Sequence, residues 1–185
     1  MNTQTYAQTL SNIIDKTRYT KLIASLGNQL NDRKDRFDKA DIIEQSLEVY
    51  TQGRLVWVDD IGRDHHDSVT GLDLEFKYMA DGLFTKTGKA KQVIKVKLKN
   101  SLGKNKGTTI DNPADFYMLG QQDSIAIISG ADIKKYLVAV PDGIEAHIPF
   151  DAVTFVFDRV KIDTLVEVSY KDEKRAMQRA LIESI

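Results

Sequence analysis

The chain has 185 residues, a formal net charge of -1 and no cysteine. That length fits one domain, 1–185, with a sizeable core, and the composition excludes a disulfide framework, thiol chemistry and blanket affinity for nucleic acid. Nothing resembles a signal peptide and no apolar run approaches membrane-spanning length, so a cytoplasmic protein with no membrane partner is expected.

From Thr5 to about Leu30, the residues Leu10, Ile13, Ile14, Leu22, Ile23, Leu26 and Leu30 recur near helical spacing. This predicts one long amphipathic helix, or two joined near Lys16 to Thr20. Asn31 to Lys39 is nearly all charged and reads as a connector. Asp41 to Tyr50 resumes the helical pattern through Ile42, Ile43, Leu47 and Tyr50, with Gly53 as its stop. Glu44 and Glu48 lie one turn apart on that helix.

Leu55-Val56-Trp57-Val58 predicts a strand ending at Asp59-Asp60. The run from Leu72 to Tyr78 alternates strictly. On a strand, Leu72, Leu74 and Phe76 take one face while Asp73, Glu75 and Lys77 line the other. Carboxylates beside a lysine suit metal-dependent phosphodiester chemistry, because Mg²⁺ takes oxygen ligands and a lysine stabilises developing negative charge. Charge alternation on a solvated edge strand gives the same three letters, so Glu-x-Lys alone is a weak signal. Between the runs, Ile61 to Gly71 reads as a hydrated loop containing His65-His66-Asp67, with His65 a candidate for touching a phosphate. The one other histidine is His147, too few for a transition-metal set.

No acidic residue occurs from Gly82 to Ile110, whereas Lys86, Lys89, Lys91, Lys95, Lys97, Lys99, Lys104 and Lys106 all fall there. Gln92 to Asn100 alternates, with Ile94, Val96 and Leu98 opposite Lys95, Lys97 and Lys99. A lysine stripe beside the acidic row is expected, with Lys91, Lys95, Lys97, Lys99, Lys104 and Lys106 as contacts to a DNA backbone. Protection of an edge strand is the competing explanation. Beyond it, Ala114 to Leu119 reads as a short helical piece and Ile125 to Ser129 as a buried strand. The segments to Phe157 finish the sheet or a small subdomain, and Tyr170 to Ile185 reads as a closing helix.

An acid ending one strand, an intervening loop and Glu75-Phe76-Lys77 on the next strand resemble the PD-(D/E)XK nuclease superfamily. The proline of that motif is absent here, Val58-Asp59-Asp60 standing in its place. The V-W-V-D-D strand, the D-H-H-D loop and the L-E-F-K strand are further similar to the small subunits of bacterial heterodimeric type IIS restriction endonucleases that recognise GAGTC. The resemblance implies an α/β fold with a mixed β-sheet flanked by helices and a restriction-endonuclease-like core. It implies Asp60, Glu75 and Lys77 as catalytic residues, Asp60 and Glu75 as ligands of Mg²⁺, and Asp59, Asp73, Glu44 and Glu48 as secondary candidates. The implied partners are double-stranded DNA and a large sequence-recognising subunit that nicks the other strand. The chain has no zinc finger, no basic recognition helix and no room for a separate reader domain, which agrees with a need for a partner. A self-sufficient homodimeric nuclease or junction resolvase, and a non-catalytic nucleic-acid-binding module, are the alternatives.

Overall fold

The computed structural model describes residues 1–26, 36–60, 62–79, 83–84, 89–100, 113–141 and 143–158, with the side chains of 36–40, 59–60 and 99–100 left out. The basic segment with Lys104 and Lys106 and the expected closing helix from Tyr170 lie outside the described residues.

The N-terminal apolar period resolves into two helices, α1 (Thr3–Ile13) and α2 (Lys16–Leu26). Asn2 Oδ1 caps α1 by accepting the Thr5 N–H at 2.8 Å, and Asp15 Oδ1 accepts the Arg18 N–H at 3.0 Å at the start of α2. The break therefore falls at Ile14-Asp15, slightly before the joint expected from the sequence, where a capping acid was available. Helix α3 spans Arg36–Tyr50, taking in part of the charged stretch expected as a connector. It ends where Gly53, at φ +79°, donates its N–H to Glu48 O at 2.8 Å.

The six-stranded sheet has the order β1 (Leu55–Asp60), β2 (Arg63–Asp67), β3 (Asp73–Tyr78), β5 (Phe116–Gln121), β6 (Ser124–Ser129), β9 (Thr154–Phe157). It is mixed: β3 and β5 run parallel, and the other neighbours are antiparallel. A smaller antiparallel sheet has the order β4 (Val93–Asn100), β8 (Gly143–Pro149), β7 (Leu137–Val140), with a single-turn helix α4 (Gly130–Ile133) leading into β7. The fold is mixed α/β, with helices packed on a mixed sheet.

Period-two alternation divides the apolar residues between two cores. Leu74, Phe76, Phe116, Met118, Ile125 and Ile127 pack with Tyr6, Leu10, Tyr19, Leu22, Ile43 and Leu47 of the helices. Tyr117, Leu119, Ala126 and Ile128 point the other way and pack with Ile94, Val96, Leu98, Ala146 and Ile148 of the small sheet. Burial on both faces explains why Ala114 to Leu119 is not the expected helical piece: Phe116 to Leu119 form a central strand, β5.

The Ile61 to Gly71 stretch is likewise not a loop throughout. It contributes β2, between β1 and β3. His65 and Asp67 are fully buried there, Asp67 with both carboxylate oxygens bonded and His65 bonded through one ring nitrogen. His65 Nε2 lies 2.8 Å from Glu44 O. Asp67 accepts from Tyr6 Oη (2.9 Å), Arg54 Nε and Nη2 (3.0 and 3.1 Å) and the Val69 and Thr70 N–H groups (3.0 and 3.2 Å). One carboxylate thus joins α1, the start of β1 and the β2–β3 turn. At the sheet edge, Thr51 Oγ1 accepts the Leu55 N–H at 3.1 Å and Glu48 Oε2 accepts the Trp57 N–H at 2.9 Å, so α3 protects part of the exposed ladder of β1.

Candidate active site

Strand β3 keeps the predicted alternation. Leu74 and Phe76 lie in the helical core, and Glu75 and Lys77 occupy the other face, their carboxylate and ammonium joined in an ion pair. The Glu75 side chain is fully buried, and that of Lys77 is 27% exposed. Burying a carboxylate without a partner is costly, so Glu75 depends on such neighbours to stay in place.

Strand β2 brings a second acid to this row, one the sequence reading passed over. In the antiparallel β2–β3 pair, His65 opposes Leu74 and His66 opposes Asp73. The pairing ends at His65, and Asp64, the next residue of β2, turns its carboxylate to the β3 backbone. The Asp64 carboxylate accepts the Phe76 N–H, at 2.6 Å from Oδ2, which anchors it to the backbone between Glu75 and Lys77. The signal was available in the sequence: Arg63-Asp64-His65-His66-Asp67 holds an acid on each face of a strand, but a hydrated-loop reading gave that alternation no meaning.

Helix α3 contributes Glu44. Burial pushes its carboxyl up to about 8, helped by the negative charges of Asp64, Asp41 and Glu75 and opposed by Lys77. Glu44 is thereby in the electrostatic company of Asp64, Glu75 and Lys77. Glu48, one turn on, is committed to the Trp57 N–H.

Of the other candidates, Asp73 and His65 are held by other partners, and Asp60 is placed by its backbone alone. Asp60 opposes Arg63 at the far end of the β1–β2 hairpin, and β2 lies between it and β3. Its backbone is therefore two strand spacings, roughly 10 Å, from β3, and the side chains of Asp59 and Asp60 lie outside the described residues. Asp73 shares the Glu75 face but is held by His66 and Arg63. Burial would raise its pKa; the hydrogen bonds from those two residues outweigh it and hold the carboxyl below its ordinary value. His65 is enclosed and bonded to the α3 backbone, which removes it from any surface a phosphate could reach.

The lysine stripe forms but does not adjoin the acids. Lys95 and Lys97 are exposed on β4, the edge strand of the small sheet. Since Ile94, Val96 and Leu98 face the large sheet, these lysines project away from it. Glu145 opposes Lys97 and His147 opposes Lys95, so the stripe has a compensating acid that lies far away in the sequence. Lys91 is partly buried, and the side chain of Lys99 is outside the described residues.

Among the described residues no group of three His, Asp or Glu side chains is drawn close enough to hold a metal ion as it stands. No helix among them is long and apolar enough to cross a membrane. No family model matches the chain, and no curated protein is significantly similar to it. What remains for function is the site and the motif resemblance drawn from the sequence.

Proposed function

We propose that the chain is a Mg²⁺-dependent DNA endonuclease subunit that hydrolyses a phosphodiester of one DNA strand. In this reading it acts within a heterodimeric type IIS restriction enzyme whose large subunit reads the sequence and nicks the other strand. The observation that carries the proposal is that the Asp64 carboxylate of β2 bonds the β3 backbone between Glu75 and Lys77, which form an ion pair, with Glu44 of α3 feeling their charges.

The donor chemistry fits a hard divalent cation: the candidate ligands are all carboxylates, and Glu44, its pKa raised first by burial and then by the charge of Asp64, would lose its proton on joining them. Asp64 and Glu75 would hold the ion, and Glu44 would add an oxygen only by closing on them, since no three such side chains are drawn together among the described residues. Bound there, Mg²⁺ supplies an acidified water and neutralises charge on the phosphoryl oxygens.

The protein's own groups contribute position and charge. Asp64 is fixed by the Phe76 N–H and Glu75 by burial and by Lys77, so neither has to be ordered when substrate arrives. The Lys77 ammonium, part exposed and next to the acids, orients the attacking water and stabilises the charge that develops on the phosphoryl group.

Incubation of supercoiled DNA with Mg²⁺ and the purified chain, with and without a sequence-reading large subunit, tests the proposal. Double-strand cleavage only by the mixture is expected. Efficient site-specific double-strand cleavage by the chain alone favours a homodimeric nuclease, and no cleavage in either case favours a binding module.

A further inference from the structure

A second cluster stands on the same hairpin, adjoining the acidic group. Arg63 Nη1 lies 3.0 Å from Asp73 Oδ2, and His66 Nδ1 lies 2.8 Å from Asp73 Oδ1. The Asp73 N–H donates to Asp115 Oδ2 at 2.8 Å, which ties this part of β3 to the segment entering β5. The Arg63 and His66 side chains are each 43% exposed, against 29% for Asp73. The two basic side chains are thus more open to solvent than the carboxylate side chain that holds them.

An ion pair this exposed contributes little to stability. What it does supply is orientation: Asp73 fixes a guanidinium and an imidazole at one place on the hairpin surface. A guanidinium presents its donors in a planar fork that matches phosphate oxygens. Asp73 and Glu75 are two residues apart on a strand, roughly 7 Å. A phosphate flanking the one presented to Glu75 would therefore come level with Arg63 and His66. Lys77 stands at the opposite end of the same row.

We propose that Arg63 and His66, held in register by Asp73, form a phosphate clamp that grips the DNA strand beside the scissile phosphodiester. The inference rests on the nuclease reading and deepens it by assigning the residues that seat the substrate backbone. Contacts of this kind position a strand without reading its sequence.

The test uses the full chain carrying Glu75→Ala, so that DNA is bound and not cut, and a fluorescein-labelled duplex in a potassium chloride series by fluorescence anisotropy. Adding Arg63→Gln should make the plot of log affinity against log salt shallower by about one unit, the loss of one phosphate contact. Arg63→Lys should keep most of the slope while weakening binding, because the charge stays and the fork is lost. Asp73→Asn should tighten binding, since it removes a carboxylate that competes with phosphate, where a purely structural ion pair would give only a lower melting temperature. Should Arg63→Gln fail to fold, His66→Gln and Asp73→Asn carry the same comparison. Unchanged slope and affinity in these variants, on a parent that binds DNA, overturns the clamp and leaves the nuclease reading standing. A parent that binds no DNA at any salt concentration, alone or mixed with a sequence-reading large subunit, overturns the nuclease reading, and the clamp with it.

Discussion

The carboxylate of Asp64 and the backbone N–H of Phe76 meet at 2.6 Å, across the β2–β3 hairpin. That bond sets the acid on the β3 backbone between Glu75 and Lys77, which makes Asp64 a competitor to Asp60 for the first carboxylate of the proposed site. Asp64→Asn should lower Mg²⁺-dependent cleavage by at least about a hundredfold, the scale on which removing a positioned transition-state contact acts. Asp60→Asn should cost much less. Rates measured for the two variants under single-turnover conditions decide between the acids, and a larger loss at Asp60 returns the assignment to β1.

Lys77→Ala should slow the chemical step while leaving DNA affinity nearly unchanged, because its role is confined to the transition state. Comparing single-turnover rates with binding measured in the absence of metal separates the two effects. A loss confined to binding would make Lys77 a backbone contact.

Gly120 tests how the core supports the site. A Cβ there would lie 2.5 Å from Phe76 Cζ and 2.6 Å from the Tyr19 hydroxyl. Gly120→Ala should destabilise the fold by about 1–3 kcal/mol through overpacking. It should also reduce cleavage more than stability alone explains, since Phe76 lies between Glu75 and Lys77. Urea denaturation and cleavage rates of the same sample check both parts.

Asp67 gives a pH dependence with a definite sign. Burial works to raise its pKa, but Arg54, the Val69 N–H, Thr70 and Tyr6 together hold the carboxyl at about 2. A folded pKa below the unfolded value means that the stabilisation is fully present above the unfolded pKa of 3.8 and disappears as pH falls through about 2. The contribution is about 2 kcal/mol. The stability gap between the wild type and Asp67→Asn should therefore be constant at neutral pH and narrow between about pH 4 and 2, as read from urea midpoints. A gap that does not change with pH would contradict this role.

Much of the architecture was legible in the sequence because it rests on local signals. The two N-terminal helices, the Gly53 stop, strand β1 and the alternation of β3 follow from apolar period and capping residues. Two features depended on tertiary context. Strand β2 is made of charged residues and histidines, and it is a strand because His65 and Asp67 find buried partners on α1, α3 and Arg54, none of which periodicity displays. Strand β5 is apolar on both faces, a pattern shared by buried helices and central strands. The candidate site divides along the same line. Glu75 and Lys77 were visible in the alternation, Glu44 and Glu48 were indistinguishable until one proved to bond β1, and Asp64 was hidden by the loop reading.

The site most directly tested is the acidic row itself, in the mixed complex with a sequence-reading large subunit on supercoiled DNA with Mg²⁺. Wild-type chain in that complex is predicted to give linear product. The same complex carrying Glu75→Ala is predicted to stop at nicked circles, cut only in the strand assigned to the large subunit. Linear product at the wild-type rate from the Glu75→Ala complex would contradict the account.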